Sequence, residues 1–220
     1  EKYTDISKRV KEALAVKQPG DVDIPEVRYL KGKIRQCEAT TACNYIGVKP
    51  QNIHFLELPF YETGTIKKGD LGRADVDIVK KLLGDVQPHQ IFVAGDLADP
   101  HGTHRVCTDA VFAAIDEFIE EGAAWVNDCR IWMYRGAWAE WEIDHIEMAV
   151  PMSPEELRRK RNSILKHQSQ MENAPFLGDD DRLFWQRSED RNHATADLYA
   201  SLGLAEYEAI EAFVEYHPIR

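Results

Sequence analysis

Two histidines three residues apart, His101 and His104, sit in the string DLADPHGTH at positions 96–104. At the start of a helix, an i, i+3 spacing turns both imidazoles toward one cleft. Neutral imidazole is a good ligand for zinc and other divalent ions, and it exchanges protons near neutral pH. One histidine could therefore hold a metal while its neighbour acts as an acid or an electrophile. Asp96 and Asp99 add carboxylates to the same string. A plainer role, capping a helix and bonding to backbone, suits the same pair, and spacing by itself does not separate the two.

Other residues carry a similar double reading. Arg35 and Glu38 lie one helical turn apart. They suit a surface ion pair of small energetic value, or an arginine that grips an anionic or hydroxyl-rich substrate. His167, Ser169 and Gln170 in the string KHQSQ make a polar helix end. The segment WMYRGAWAEWEID is dense in aromatics, and Trp138 and Trp141 suit sugar stacking, core packing or a subunit contact. His54, His89, His145, His193 and His217 have no companion at ligand spacing. The chain has no Gly-rich phosphate loop, nucleophile elbow or Cys-x-x-Cys pair, which argues against nucleotide-driven and disulfide-redox chemistry.

The elements that must position these residues alternate. The run IFVAGD at 91–96 is nearly all apolar, as in a parallel strand covered on both faces. It ends at the histidine string, and in open α/β sheets ligands bind beyond the carboxyl ends of strands. A helix over 106–121 follows, and its first amides face the same place. Upstream, helices are expected over 4–17, 24–46 and 74–83, with Gly47 closing the second, and a strand over 53–60. Downstream, strands are expected over 129–136 and 145–150. A charged helix over 154–170 has Ser153 as N-cap and Pro154 as its first residue. Residues 171–190 read as loop, and 193–202 and 206–216 as the last helices. This order predicts an α/β fold with a Rossmann-like, mostly parallel sheet covered by helices. Residues 1–220 are expected to form a single domain, with 151–220 as a mainly helical C-terminal extension.

Composition narrows the partners. The 220 residues carry 27 Lys and Arg against 38 Asp and Glu, a formal net charge of −11. Such a surface repels phosphate backbones and anionic headgroups, so neither nucleic acid nor a membrane surface is an expected partner. A local basic pocket could still take a small phosphorylated ligand. No apolar run approaches the ~20 residues that span a bilayer, and no signal peptide is visible. A cytoplasmic protein is expected, with Cys37, Cys43, Cys107 and Cys129 as reduced thiols.

The ordered series RQCEATTACNYIGV, HFLELP, IFVAGDLADPHGTHRV and KRNSILKHQSQ resembles the LmbE-like (PIG-L) family of zinc-dependent de-N-acetylases over about residues 28–170. That family removes acetyl from N-acetylglucosaminyl compounds on a Rossmann-like fold. The resemblance implies that His104 is a ligand of Zn2+ or another divalent metal. It implies that His101 polarises the carbonyl or protonates the leaving amine, and that Arg35 binds substrate. Zinc would polarise a water and the amide oxygen, and a carboxylate would take the water's proton. The family's His-Pro-Asp-Asp motif has no counterpart in this chain. Its first strand, remaining metal ligands and general base would then lie upstream of Glu1. Thr103 stands where the family commonly has Asp, and Asp99 or Asp96 would have to orient the partner histidine instead.

The stretch RNHATADLYASLGLAEYEAIEAFVEYHPI is similar to the end of a bacterial fusion form, in which the de-N-acetylase-like module follows a glucosamine-6-phosphate deaminase-like one. The resemblance therefore implies a small amino sugar, or its phosphate, as substrate. The competing expectation is a catalytically inactive sugar-binding or oligomerisation module attached to such a protein, with homo-oligomerisation left open.

Overall fold

The computed structural model describes residues 2–61, 67–95, 102–137, 139–171 and 181–218. Its centre is a parallel pair of strands. In β1 (Gln90–Ala94), Ile91 and Val93 share one face while Phe92 points to the other. β2 (Arg130–Tyr134) pairs with β1 in parallel, from Gln90 opposite Arg130 to Ala94 opposite Tyr134. The crossover between them is α4 (Thr103–Glu120), preceded in the chain by α3 (Arg73–Val86). Ile115 of α4 packs with Val93, Val126 and Ile131, bordered by Ile91 and Met133. On its far side α4 offers Ala110 and Ala114 to Val76 and Val79 of α3. Small side chains there let the two helices approach closely.

Two more strands complete the sheet, β3 (Met148–Met152) and β4 (Ala209–Tyr216), in the order β1-β2-β4-β3. β4 runs antiparallel to both of its neighbours, with Ile131 opposite Tyr216 and Met148 opposite Phe213. β1, β2 and β3 therefore share one direction, and β4 is the reversed strand between them. The α/β layered fold is the expected one, but 206–216 is corrected from helix to strand. EYEAIEAFVEY spaces its apolar residues in a way a helix could use. Inserted between two strands, it instead pairs its backbone on both edges and buries Ala209, Ile210 and Ala212. Tertiary context overrides local preference.

The strand expected over 53–60 is also corrected. Among the described residues it pairs with no other strand, and Glu57 breaks the extended run with φ 49°. Leu56 and Leu58 nonetheless pack on the α3–α4 core. The remaining elements follow the sequence closely. α1 (Lys2–Val16) is joined to α2 (Pro25–Tyr45) through the Arg9–Glu26 ion pair. α2 closes as expected at Gly47, which takes φ +97°. The Gly47 amide donates to the Asn44 carbonyl at 3.1 Å and the Val48 amide to Cys43 at 2.9 Å, a Schellman ending. α5 (Pro154–Ile164) starts with a Ser153–Glu156 capping box. It stops six residues earlier than expected and gives way to a single 3-10 turn at Gln168–Gln170. α6 (Phe184–Ser201) begins inside the segment read as loop. Among the described residues no helix is long and apolar enough to cross a membrane.

α5 and α6 meet β4 through buried charge. Glu211, in the middle of β4, accepts hydrogen bonds from Lys160 of α5 and from Arg191 of α6. Arg191 also pairs with Glu140 of the β2–β3 connection, whose Oε2 accepts from the Thr195 hydroxyl at 2.9 Å. Asn192, with no exposed surface, donates to the Ile210 carbonyl at 2.8 Å and accepts from Lys160 at 2.6 Å. Burial pulls the Glu211 carboxyl up, but Lys160 and Arg191 outweigh it and hold the group below the ordinary carboxylate range. Burial likewise draws the Lys160 ammonium below the usual lysine value, against the pull of Glu211.

Removing one member of such a set leaves buried charge uncompensated. Glu211→Gln is expected to lose about 3–5 kcal/mol of stability at neutral pH. A folded pKa below the unfolded one gives a contribution that is complete above the unfolded carboxylate range and is lost as pH falls through the folded value. Urea denaturation of both proteins as a function of pH checks this: the difference should be largest near neutrality and should shrink in acid.

Candidate functional site

The carboxyl end of β1 is a place of close approach. The Gly95 amide donates to the Tyr134 carbonyl at 2.8 Å, extending the parallel ladder by one bond. A Cβ on Gly95 would lie 2.6 Å from Met133 Cβ and 2.7 Å from Trp141 Cζ2. Trp141 is therefore packed as a wall against the strand end, and the Arg135 guanidinium lies over its ring at 4.0 Å. The core-packing reading of Trp141 is the one its position supports. Asp96, Asp99, His101 and Trp138 lie outside the described residues.

Beyond β1 the chain turns into α4 through Gly102, in a left-handed conformation with φ +66°. Thr103 and His104 occupy the first turn, and the His104 side chain is exposed. One turn on, the Thr108 hydroxyl donates to the carbonyl of Ala94 at 2.8 Å, which ties α4 to the last residue of β1. His104 thus stands at the carboxyl end of the sheet, as its place in the sequence predicts.

Lys68 was not among the residues that sequence reasoning singled out. Its Nζ donates to the Thr103 hydroxyl and lies 5.0 Å from the centre of the Tyr61 ring. Its segment is fixed by Asp75, which is only 2% exposed. One Asp75 oxygen accepts from the Phe60 amide and the other from the Gly72 amide, each at 2.9 Å. The Gly69 amide adds a 2.7 Å bond to the Phe60 carbonyl. The one sequence signal was Asp75 itself, placed three residues after Gly72 as an N3 capping carboxylate would be. Nearby, desolvation pushes the Cys107 thiol up, opposed by Lys68 and reinforced by Asp75, so Cys107 is kept as a thiol and not a thiolate.

A second cluster joins two motifs far apart in the chain. Glu38 of α2 accepts from the amide and from the hydroxyl of Ser169, each at 2.7 Å. Partial desolvation would raise the Glu38 carboxyl. The two Ser169 bonds, with positive charge at His167 and Arg35, hold it below its ordinary value instead. Asn162 donates to the Tyr45 hydroxyl at 3.1 Å, and Lys166 lies 4.8 Å from the centre of the Tyr45 ring. Arg35 is exposed beside Glu38. The Gln36 amide group reaches across to Glu57 at 3.0 Å, linking α2 to the run that packs on α3 and α4.

Among the described residues no group of three His, Cys, Asp or Glu side chains converges as metal donors would. A catalytic zinc takes three protein ligands. His104 has the right chemistry for one of them, but the described residues do not by themselves form a metal site.

No known family's sequence profile matches the chain. It is 68% identical over 219 residues to a glucosamine-6-phosphate deaminase-like protein of Bacteroides thetaiotaomicron. That alignment takes in 100% of this chain and 32% of the relative, so the chain spans about a third of the relative's length. Among solved structures, GalB, the 4-carboxy-2-hydroxymuconate hydratase of Pseudomonas putida, superposes with a TM-score of 0.60 at 13% identity, over 91% of this chain and 77% of its own. A conserved protein of Thermus thermophilus gives 0.53 at 16% identity, over 91% and 78%. The N,N'-diacetylchitobiose deacetylase of Pyrococcus horikoshii gives 0.50 at 19% identity, over 84% and 64%. These likenesses establish the shared α/β fold. A hydratase and a deacetylase carried on one fold leave the chemistry to be argued from the site.

Two substitutions test this geometry. Gly95→Ala is expected to cost about 1–3 kcal/mol, because neither Met133 Cβ nor the rigid Trp141 ring can yield cheaply; chemical denaturation measures it. In Ser169→Ala, Glu38 loses a hydroxyl donor, and its carboxyl titration followed by NMR should move up toward the ordinary range. An unchanged midpoint would remove Ser169 as the cause of the depression.

Proposed function

We propose that this chain is the sheet-and-helix module of a metal-dependent amidohydrolase, a de-N-acetylase of N-acetylated amino sugars or their phosphates. The observation that carries this reading is the place of His104. It is an exposed imidazole in the first turn of the helix that leaves β1, on a fold shared with a deacetylase. The name of the Bacteroides relative supports an amino sugar as the substrate class.

In this reading His104 is one donor to a divalent metal, zinc by the resemblance, and the other donors come from outside the described residues. Hydrolysis of the acetamide forms a bond from water oxygen to the carbonyl carbon and breaks the bond from that carbon to nitrogen. Acetate leaves, and a proton must reach the departing amine. His101, three residues before His104, is assigned that proton or the polarising of the carbonyl, with Asp99 as its orienting carboxylate. Thr103 cannot supply a charge there, and its hydroxyl is engaged by Lys68. Arg35 is assigned a substrate contact, its guanidinium held near Glu38 rather than spent on a close ion pair.

The test uses the full polypeptide that carries this chain, with and without His104→Ala. Bound metal and acetate release from N-acetylglucosamine compounds are measured together, and circular dichroism confirms that both proteins are folded. Loss of an outer partner of a metal ligand already costs 10–100-fold, so loss of the ligand is expected to lower both readouts by about a hundredfold or more. A wild-type protein with neither metal nor acetate release would overturn the reading and leave a sugar-binding or assembly module.

A further inference from the structure

The chain is strongly acidic, yet one half-buried lysine beside the proposed site meets no carboxylate. Lys17 pairs with Asp23, Lys80 with Glu117 and Glu121, and Lys160 with Glu211. Lys68 instead touches the neutral hydroxyl of Thr103 and the face of Tyr61. Among the described residues it forms no ion pair. Its position is not accidental, because the buried Asp75 pins both ends of the segment that carries it, at Phe60 and Gly72. Nor does the local field compensate it. The first turn of α4 has no acidic residue and its N-cap makes no side-chain bond, so the positive end of the helix dipole adds to the ammonium. A lysine held there is unfavourable unless an anion is the intended neighbour. The ammonium reaches Thr103, the residue next to His104, which places the charge within one sugar's reach of the proposed reaction.

We infer that Lys68 is a specificity-determining residue that takes the phosphate of a phosphorylated amino sugar, beside His104. This rests on the amino-sugar reading above and narrows it to phosphate monoesters. A dianionic phosphate answers both the ammonium and the helix end, and an ammonium binds phosphate well as a point charge. The Tyr61 ring holds the lysine stem in place, and Thr103 fixes its tip by hydrogen bond. A neutral amino sugar would leave the charge uncompensated.

The test is run on the full polypeptide with Lys68→Met and Lys68→Arg. Calorimetry compares the binding of glucosamine 6-phosphate, glucosamine and inorganic phosphate. Acetate release compares N-acetylglucosamine with its 6-phosphate. The wild type is expected to prefer the phosphorylated sugar, and Lys68→Met to lower that preference by about tenfold or more, as loss of a charge-assisted contact should. Lys68→Arg should retain most of it, an outcome that loss of packing alone would not give. Phosphate-dependent binding that vanishes in Lys68→Met without any acetate release supports the Lys68 assignment while overturning de-N-acetylation. The assignment is overturned if the wild type binds both sugars alike or binds neither. It is also overturned if Lys68→Met weakens both sugars equally, or if inorganic phosphate binds as tightly as the sugar ester.

Discussion

The position of Glu211 constrains most of the structure. A carboxylate in the middle of an interior strand is costly unless cations reach it, and here Lys160 and Arg191 arrive from two different helices. The requirement reaches outward. Arg191 must also meet Glu140, which anchors the β2–β3 connection, and Asn192 must satisfy the Ile210 carbonyl. One strand thereby specifies where α5, α6 and the connection beside Trp141 lie. An all-apolar contact would have tolerated sliding, whereas paired charges with fixed hydrogen bonds do not.

That rigidity has a consequence at the carboxyl end of the sheet. Glu140 and Trp141 are adjacent, so the network that holds Glu140 also places the indole against Gly95. Gly95 in turn leads from β1 toward the segment that carries His101 and His104. On the other side, Asp75 satisfies two backbone amides and fixes the segment bearing Lys68. The Glu38–Ser169 bonds hold α2 to the turn after α5. Buried or partly buried carboxylates thus position three separate borders of the candidate site. Each acts through hydrogen bonds to backbone or to a paired cation, the condition under which a carboxylate in a folded chain costs least.

Much of this was legible from residue order. The apolar run of β1, the crossover α4, the Gly47 ending of α2 and the Ser153 cap of α5 are local features, each decided by residues within a few positions. So was the location of His104 after a strand and at a helix start. The Arg35–Glu38 and His167–Ser169 motifs were visible as separate strings. Their meeting, across 131 residues, was implied only by resemblance. Lys68 was invisible because nothing in its neighbourhood is periodic, and its contact with Thr103 spans 35 residues.

The sequence by itself determined the α/β class, most element boundaries and the histidine at the end of β1, because helix periodicity, apolar runs and capping residues act over short range. Only the tertiary structure decided that 206–216 is a strand, that 53–58 runs unpaired among the described residues, and that a lysine without a carboxylate stands beside His104. The physical reason is common to all three. A segment such as EYEAIEAFVEY satisfies its backbone equally well alone as a helix or between two strands. The choice is made by what lies on either side of it: β2, β3 and the cations that meet Glu211.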